Sequence, residues 1–240
     1  MMSGSLRFNR VLLKLSGEAL KGQRDFGYDA NAIRAVVVKI KNVIERGAEV
    51  AIVVGAGNIW RGNMGGKDGM DRVNADKMGM LATVMNAMAL REFFTEAGVP
   101  VLIQCAIPMG TFVTTYDREQ AIRALESGQV VIFAGGTGNP FFTTDTAATL
   151  RALETDCDAV LKATKVDGVY SADPMKDPSA VRYSELSFDE ALEKHLSVMD
   201  AAAFSLCRDN ELPVIVFDFS SPDTLERVIS GDSSAGTVVS

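Results

Sequence analysis

The segment Ala134-Gly-Gly-Thr-Gly-Asn-Pro-Phe-Phe-Thr-Thr-Asp-Thr-Ala-Ala148 gathers the residue types from which an anion site is built. It follows the apolar run Val130-Val-Ile-Phe133, which reads as a buried strand, and it leads into a helix expected over 146–154. A strand, a turn rich in Gly, Asn and Pro, and a helix opening on hydroxyls bring several unpaired backbone N–H groups to one point. The helix dipole favours negative charge at the same place. Phe141 and Phe142 sit inside the turn and need a surface to pack on, either a ligand or the body of the protein.

Two further Gly-containing turns follow apolar runs, Lys14-Leu-Ser-Gly-Glu18 and Gly55-Ala-Gly-Asn58. Neither fits a Walker A loop or a dinucleotide Gly-x-Gly-x-x-Gly fingerprint. Together the three turns point to phosphate handling, because open parallel sheets bind ligands at the carboxyl ends of their strands. Lys14 closes an apolar strand, where an ammonium needs a partner. It is either a lysine snorkelling at the sheet edge or a charge placed on a transferring phosphoryl group, which needs neutralisation more than covalent help. Lys162 and Lys165 offer positive charge at another strand end, and Arg61 follows the second turn. His195 is the only histidine and falls at a polar helix end, which removes His-based triads and most general-base schemes.

These residues are positioned by a chain that alternates strand and helix. Strands are expected at 11–15, 50–54, 101–105, 130–133, 159–161, 214–217 and 237–239. Helices are expected from the Asp29 cap to 46, over 73–97, from the Asp117 cap to 126, and over 146–154, 188–194, 200–209 and 222–230. The stretch 165–183, rich in Asp, Gly and Pro, reads as hairpins and loops. Such alternation predicts an α/β fold, a three-layer αβα sandwich around a mostly parallel open sheet. Met78, Leu81, Met85 and Met88 recur at helical spacing, as a core or subunit-interface stripe would.

The 240 residues form a single expected domain, with an acceptor-binding part over roughly 1–155 and a donor-nucleotide part over roughly 156–240. The net charge of −7, without a Lys/Arg block, lacks a nucleic-acid footprint. Cys105, Cys157 and Cys207 show no metal-ligand spacing and read as buried small hydrophobes. No run approaches the roughly 20 apolar residues of a membrane span. A soluble, cytoplasmic protein is expected.

The chain resembles the bacterial uridylate kinases of the amino-acid-kinase superfamily from about residue 10 to 238. The resemblance is carried by Lys14-Leu-Ser-Gly-Glu18, Asn58-Ile-Trp-Arg-Gly62, Asp76-Lys-Met-Gly-Met-Leu-Ala-Thr83, Gly136-Thr-Gly-Asn-Pro-Phe-Phe-Thr-Thr-Asp145, Lys162-Ala-Thr-Lys-Val-Asp-Gly168 and Ala172-Asp-Pro174. It implies transfer of a phosphoryl group from ATP to UMP, giving UDP for pyrimidine nucleotide supply, with Mg²⁺ arriving on ATP and no direct protein ligand to the metal. By resemblance the catalytic residues are Lys14, Arg61, Asp145 and Lys165. ATP is expected at Lys14, Leu15, Ser16, Gly17, Gly57, Arg61, Thr164, Lys165, Tyr170 and Asp173. UMP is expected at Ala56, Asp76, Thr137, Gly138, Asn139, Pro140, Phe141, Phe142, Thr143 and Thr144, and Asp200 is a weaker carry-over. Gly22, Gln23, Arg24, Asp25, Phe26 and Gly27 match a segment linked to activation by GTP, with UTP as an inhibitor. A homo-oligomer, specifically a hexamer, is implied as well.

One departure concerns Ala56, where the family commonly has a third glycine; a methyl there requires a negative φ. Two other readings share these residues. One is a sister kinase acting on a carboxylate or carbamate, which would need different chemistry over 137–144. The other is a nucleotide-binding storage or regulatory protein that has lost turnover, against which Lys14, Arg61, Lys165 and Asp145 argue.

Overall fold

Arg10–Leu15 (β1) is buried except at Arg10 and Lys14, as befits a central parallel strand covered on both faces. The computed structural model describes residues 6–60, 69–174, 176–196 and 198–240. Asp29 then caps Ala30–Glu45 (α1), its carboxylate accepting from the Ala32 N–H. Ile33, Val36, Val37 and Ile40 recur at helical spacing and are buried, each burial worth roughly 1.5–3 kcal/mol. Next come Glu49–Val54 (β2) and Arg72–Glu96 (α2), the latter capped by Asp71. Val101–Cys105 (β3), Thr114–Thr115 (β4), Arg118–Glu126 (α3) and Val130–Ala134 (β5) complete the first half.

The second half holds Thr144–Glu154 (α4), Ala159–Thr164 (β6), Glu185–Leu186 (β7) and Phe188–Glu193 (α5). Ala201–Asp209 (α6), Val214–Asp218 (β8), Thr224–Ile229 (α7) and Thr237–Val239 (β9) follow. Among the boundaries that move, two lie at the element ends that form the site and a third is the start of the helix expected from 222, which begins at Thr224. The helix expected from 146 begins at Thr144, because Thr143 caps it by accepting from the Asp145 N–H. The strand expected to end at 161 continues to Thr164. The short strands β4 and β7 were not expected.

The strands form one sheet in the order β4-β3-β5-β2-β1-β6-β8-β9-β7. Every pairing is parallel except β8 with β9. Side chains alternate between two cores. Leu13, Leu15, Ile52, Leu161 and Phe217 pack with α1, α2 and α7 on one face. Leu12, Val53, Phe133, Val160 and Val216 pack with α3, α4 and α6 on the other. The result is a three-layer αβα sandwich around a mostly parallel sheet. From β1 the chain runs to β2 through α1 on one face, and it returns to β6 on β1's other side after α4 on the opposite face. The β1/β6 boundary is therefore a topological switch point, where the carboxyl ends of the strands leave a crevice.

Candidate active site

Lys14 and Lys162 are register partners on β1 and β6, so both side chains leave the same face of the sheet. That face, shared with Leu12 and Val160, is the one covered by α4. Asp145, in the first turn of α4, stands 2.7 Å from Lys14 Nζ through Oδ1 and 2.7 Å from Lys162 Nζ through Oδ2. The three side chains keep only 16%, 17% and 12% of their surface exposed, in the order Lys14, Lys162, Asp145. Burial pushes the Asp145 carboxyl up, but the two ammonium groups beside it prevail and hold it below the usual carboxylate range. Two ammonium groups facing one carboxylate leave a net positive charge at the switch point. Lys162 Nζ also donates to Val198 O at 2.6 Å.

Backbone close approach shapes the neighbouring turns. A Cβ on Gly17 would lie 2.4 Å from Gly55 O and 2.5 Å from Asn58 Oδ1, so the β1 and β2 turns can meet only through a glycine. Asn58 and Asn86 are both buried, and their amides bond each other. Asn86 Nδ2 also donates to Gly55 O at 2.7 Å, and Asn58 Nδ2 donates to Gly27 O at 3.0 Å. Ala56 has no positive φ, which meets the condition its methyl imposes. The 22–27 segment lies against this turn, since the Gly27 N–H donates to Asn58 O at 2.7 Å. Gln23, Arg24, Asp25 and Phe26 are exposed.

On the β2/β5 side a cavity of about 170 Å³ is lined by Ala56, Asp76, Thr137, Asn139, Phe142, Thr143 and Thr144 among the expected residues. Trp60, Met80 and Thr83 line it too, and the sequence reading did not select them. Asp76 accepts from the Phe141 N–H at 2.8 Å and pairs with Arg72 Nε at 2.9 Å. Phe141 has a φ of 73°, a conformation that a bulky residue holds only under constraint. Both aromatics are exposed, Phe142 toward the cavity and Phe141 beside the Arg72 guanidinium. Gly138, Pro140 and Phe141 complete the turn without lining the cavity.

On the β6/β8 side a second cavity of about 510 Å³ is lined by Thr164, Tyr170 and Asp173, together with Lys162, Val198 and His195. His195, read from the sequence as a peripheral residue, stands at this rim. Lys165 is not gathered with Asp145. Its side chain is 85% exposed and pairs with Glu18 at 3.1 Å. Leu15 and Ser16 line a different cavity, with Leu15 in the opposite core. Arg61 lies outside the described residues.

Asp200 ties the start of α4 to α6. It caps α6 by accepting from the Ala203 N–H at 3.0 Å, and its carboxylate accepts from Thr143 Oγ1 at 2.5 Å and Thr146 Oγ1 at 3.1 Å. Lys162, offered from the sequence with Lys165 as positive charge at a strand end but not selected for the site, is the one of the two that meets Asp145. The available signal was the register of two lysines at adjacent strand ends, which appears once β1 and β6 are paired.

Residues 9–218 match the amino acid kinase family. Solved structures share the fold over nearly its full length. A UMP kinase from Bacillus anthracis is 38% identical with a TM-score of 0.94, over 97% of this chain and 96% of that one. A UMP kinase from Ureaplasma parvum is 36% identical with a TM-score of 0.92, over 98% of this chain and 100% of that one. A uridylate kinase from Archaeoglobus fulgidus is 29% identical with a TM-score of 0.73, over 96% and 99%. Sequence and fold agree over most of the chain, which belongs to the amino acid kinase family.

Proposed function

We propose that the chain transfers the γ-phosphoryl group of ATP to the phosphate of UMP, giving ADP and UDP for pyrimidine nucleotide supply. The observation that carries this reading is the Lys14–Asp145–Lys162 cluster, with surplus positive charge at a strand-end crevice between two cavities. The activity named for the Bacillus anthracis and Ureaplasma parvum relatives supports the choice of acceptor.

An acceptor phosphate oxygen attacks the γ-phosphorus, and the bond from that phosphorus to the β–γ bridging oxygen breaks, leaving ADP. A phosphate monoester has a second pKa of about 6, so the attacking oxygen is already largely ionised near neutral pH. No general base is needed. What the protein supplies is alignment of two bound nucleotides and neutralisation of the charge that builds on the transferred group. Lys14 and Lys162 provide that charge, and Asp145 holds them in place. Acceptor binding falls to the 137–144 turn with Ala56 and Asp76, and the donor's base and ribose fall to Thr164, Tyr170 and Asp173. This gives the acceptor and donor parts the division near residue 155.

Asp145 already faces two ammonium groups. That arrangement suits a magnesium ion that would come on the donor's phosphates and keep several waters. When bound, that ion supplies further charge neutralisation on the polyphosphate. Assembly into a homo-oligomer, activation by GTP through the 22–27 segment, and inhibition by UTP belong to the same proposal.

The test is to incubate the purified protein with Mg-ATP and each nucleoside monophosphate in turn, and to measure ADP release. Release with UMP above the other monophosphates is expected. No release with any of them overturns the reading.

A further inference from the structure

On the sheet face opposite the lysine cluster lies a cavity of about 500 Å³, between α1 and the carboxyl ends of β1, β6 and β8. Its apolar wall is made by Leu15, Ala32, Ala35, Val36, Ala163 and Phe219. Alternation along β6 separates it from the donor cavity, because Ala163 and Lys162 point to opposite faces. Only Thr164, at the strand end, borders both.

Charge decides what this cavity can hold. Four charged side chains line it, Glu18, Lys39, Lys165 and Asp218, and their signs cancel. Each is engaged by the wall itself. Lys39 Nζ donates to Phe219 O at 2.5 Å and to Ser220 O at 2.8 Å. The Asp218 carboxylate accepts from Ser220 N at 2.7 Å and Ser220 Oγ at 2.6 Å. Lys165 pairs with Glu18 at 3.1 Å. An ionic ligand would lose water there without meeting a surplus of opposite charge. The volume falls within the roughly 300–1,000 Å³ typical of small-molecule sites, which are mostly apolar with a few polar groups. The geometry points to a second small-molecule site on this face, for a neutral and largely apolar ligand. Its edge shares Leu15, Ser16, Thr164 and Lys165 with the residues expected at ATP, whereas Ala32, Ala35, Val36 and Phe219 lie outside that set, and its test needs no turnover.

Titration of the full chain, without nucleotide, by the neutral fluorophore N-phenylnaphthylamine is expected to saturate at a single site. Its anionic relative anilinonaphthalene sulfonate should bind at least about tenfold more weakly. Filling the cavity from α1 with Ala35→Phe and Ala32→Leu should weaken the neutral probe by about tenfold or more, whereas Glu119→Leu on the exposed face of α3 should not. In a methyl-labelled sample the probe should shift the Ala32, Ala35 and Val36 resonances, a readout that does not depend on any variant folding. The proposal is overturned by an absence of saturable binding, by equal affinity for the sulfonate, or by shifts that spare the methyls of those three residues.

Discussion

At the residue scale the proposed transfer rests on two lysines and one aspartate. Lys14→Ala is expected to lower kcat by roughly 100-fold with the protein folded, as loss of a charge matched to the transition state should. Lys162→Met should cost roughly 10- to 100-fold in kcat by the same argument. Lys165→Ala should cost far less, because Lys165 is exposed and paired with Glu18 rather than Asp145. Steady-state kinetics on the three variants checks this order; a larger loss at Lys165 than at Lys162 would reverse the assignment. Asp145 adds a dependence on pH. Its carboxyl lies below the usual range in the folded chain, so its contribution to stability is complete above the unfolded value of about 3.9 and is lost as pH falls through the folded value. Asp145→Asn leaves two ammonium groups facing each other and should cost about 2–3 kcal/mol near neutral pH. The deficit should narrow below about pH 4, where the parent loses the same ion pairs. Urea unfolding at several pH values checks it, and a deficit that widens in acid contradicts the ion-pair account.

Helix α4 shows at the element scale how one segment serves packing and chemistry together. Its buried Ala147, Ala148 and Ala152 set it on the sheet, its first turn carries Asp145, and its cap Thr143 is tied to α6 by Asp200. Asp200→Ala removes a helix cap and leaves the Thr143 and Thr146 hydroxyls without that acceptor, which together should cost about 2 kcal/mol. Because the tie holds Thr143, which lines the β2/β5 cavity, KM for the acceptor should rise more than KM for the donor. Asp200→Asn keeps the cap and should recover most of the stability. Caps of this kind were legible in the sequence, since Asp29 and Asp117 each stand just before a helical apolar pattern. The full length of β6 was not. Its outward residues Lys162 and Thr164 are polar because they face the site, so an apolar run appears to stop at Leu161. The Asn58–Asn86 pair was also out of reach, because its members lie 28 positions apart on different elements. Only tertiary contact reveals that a polar residue on the inner face of α2 has a partner.

Shape at the scale of the whole molecule is set by what the single chain leaves uncovered. Met78, Leu81 and Met85 lie along one stripe of α2 and are 40%, 48% and 52% exposed, whereas Met88 on the same helix packs against the core. Helical spacing could not separate the two uses of methionine, since core and interface stripes share a period. Burial separates them. An apolar stripe rimmed by polar residues marks a contact surface more often than a free one, and methionine adapts readily to a partner's contour. If this stripe joins copies of the chain, two like charges set into it meet their own symmetry mates across a two-fold interface. Leu81→Lys with Met85→Lys is therefore expected to shift the sedimentation of the purified protein to a smaller species. The variant should fold with little change in helical content, because both positions are exposed in one chain. The cluster of Lys14, Asp145 and Lys162 belongs entirely to a single chain, so the smaller species should keep chemistry of its own at saturating nucleotide. An unchanged sedimentation coefficient would remove this stripe as the interface. A smaller species without turnover would show that the crevice is held in working shape by a neighbouring copy.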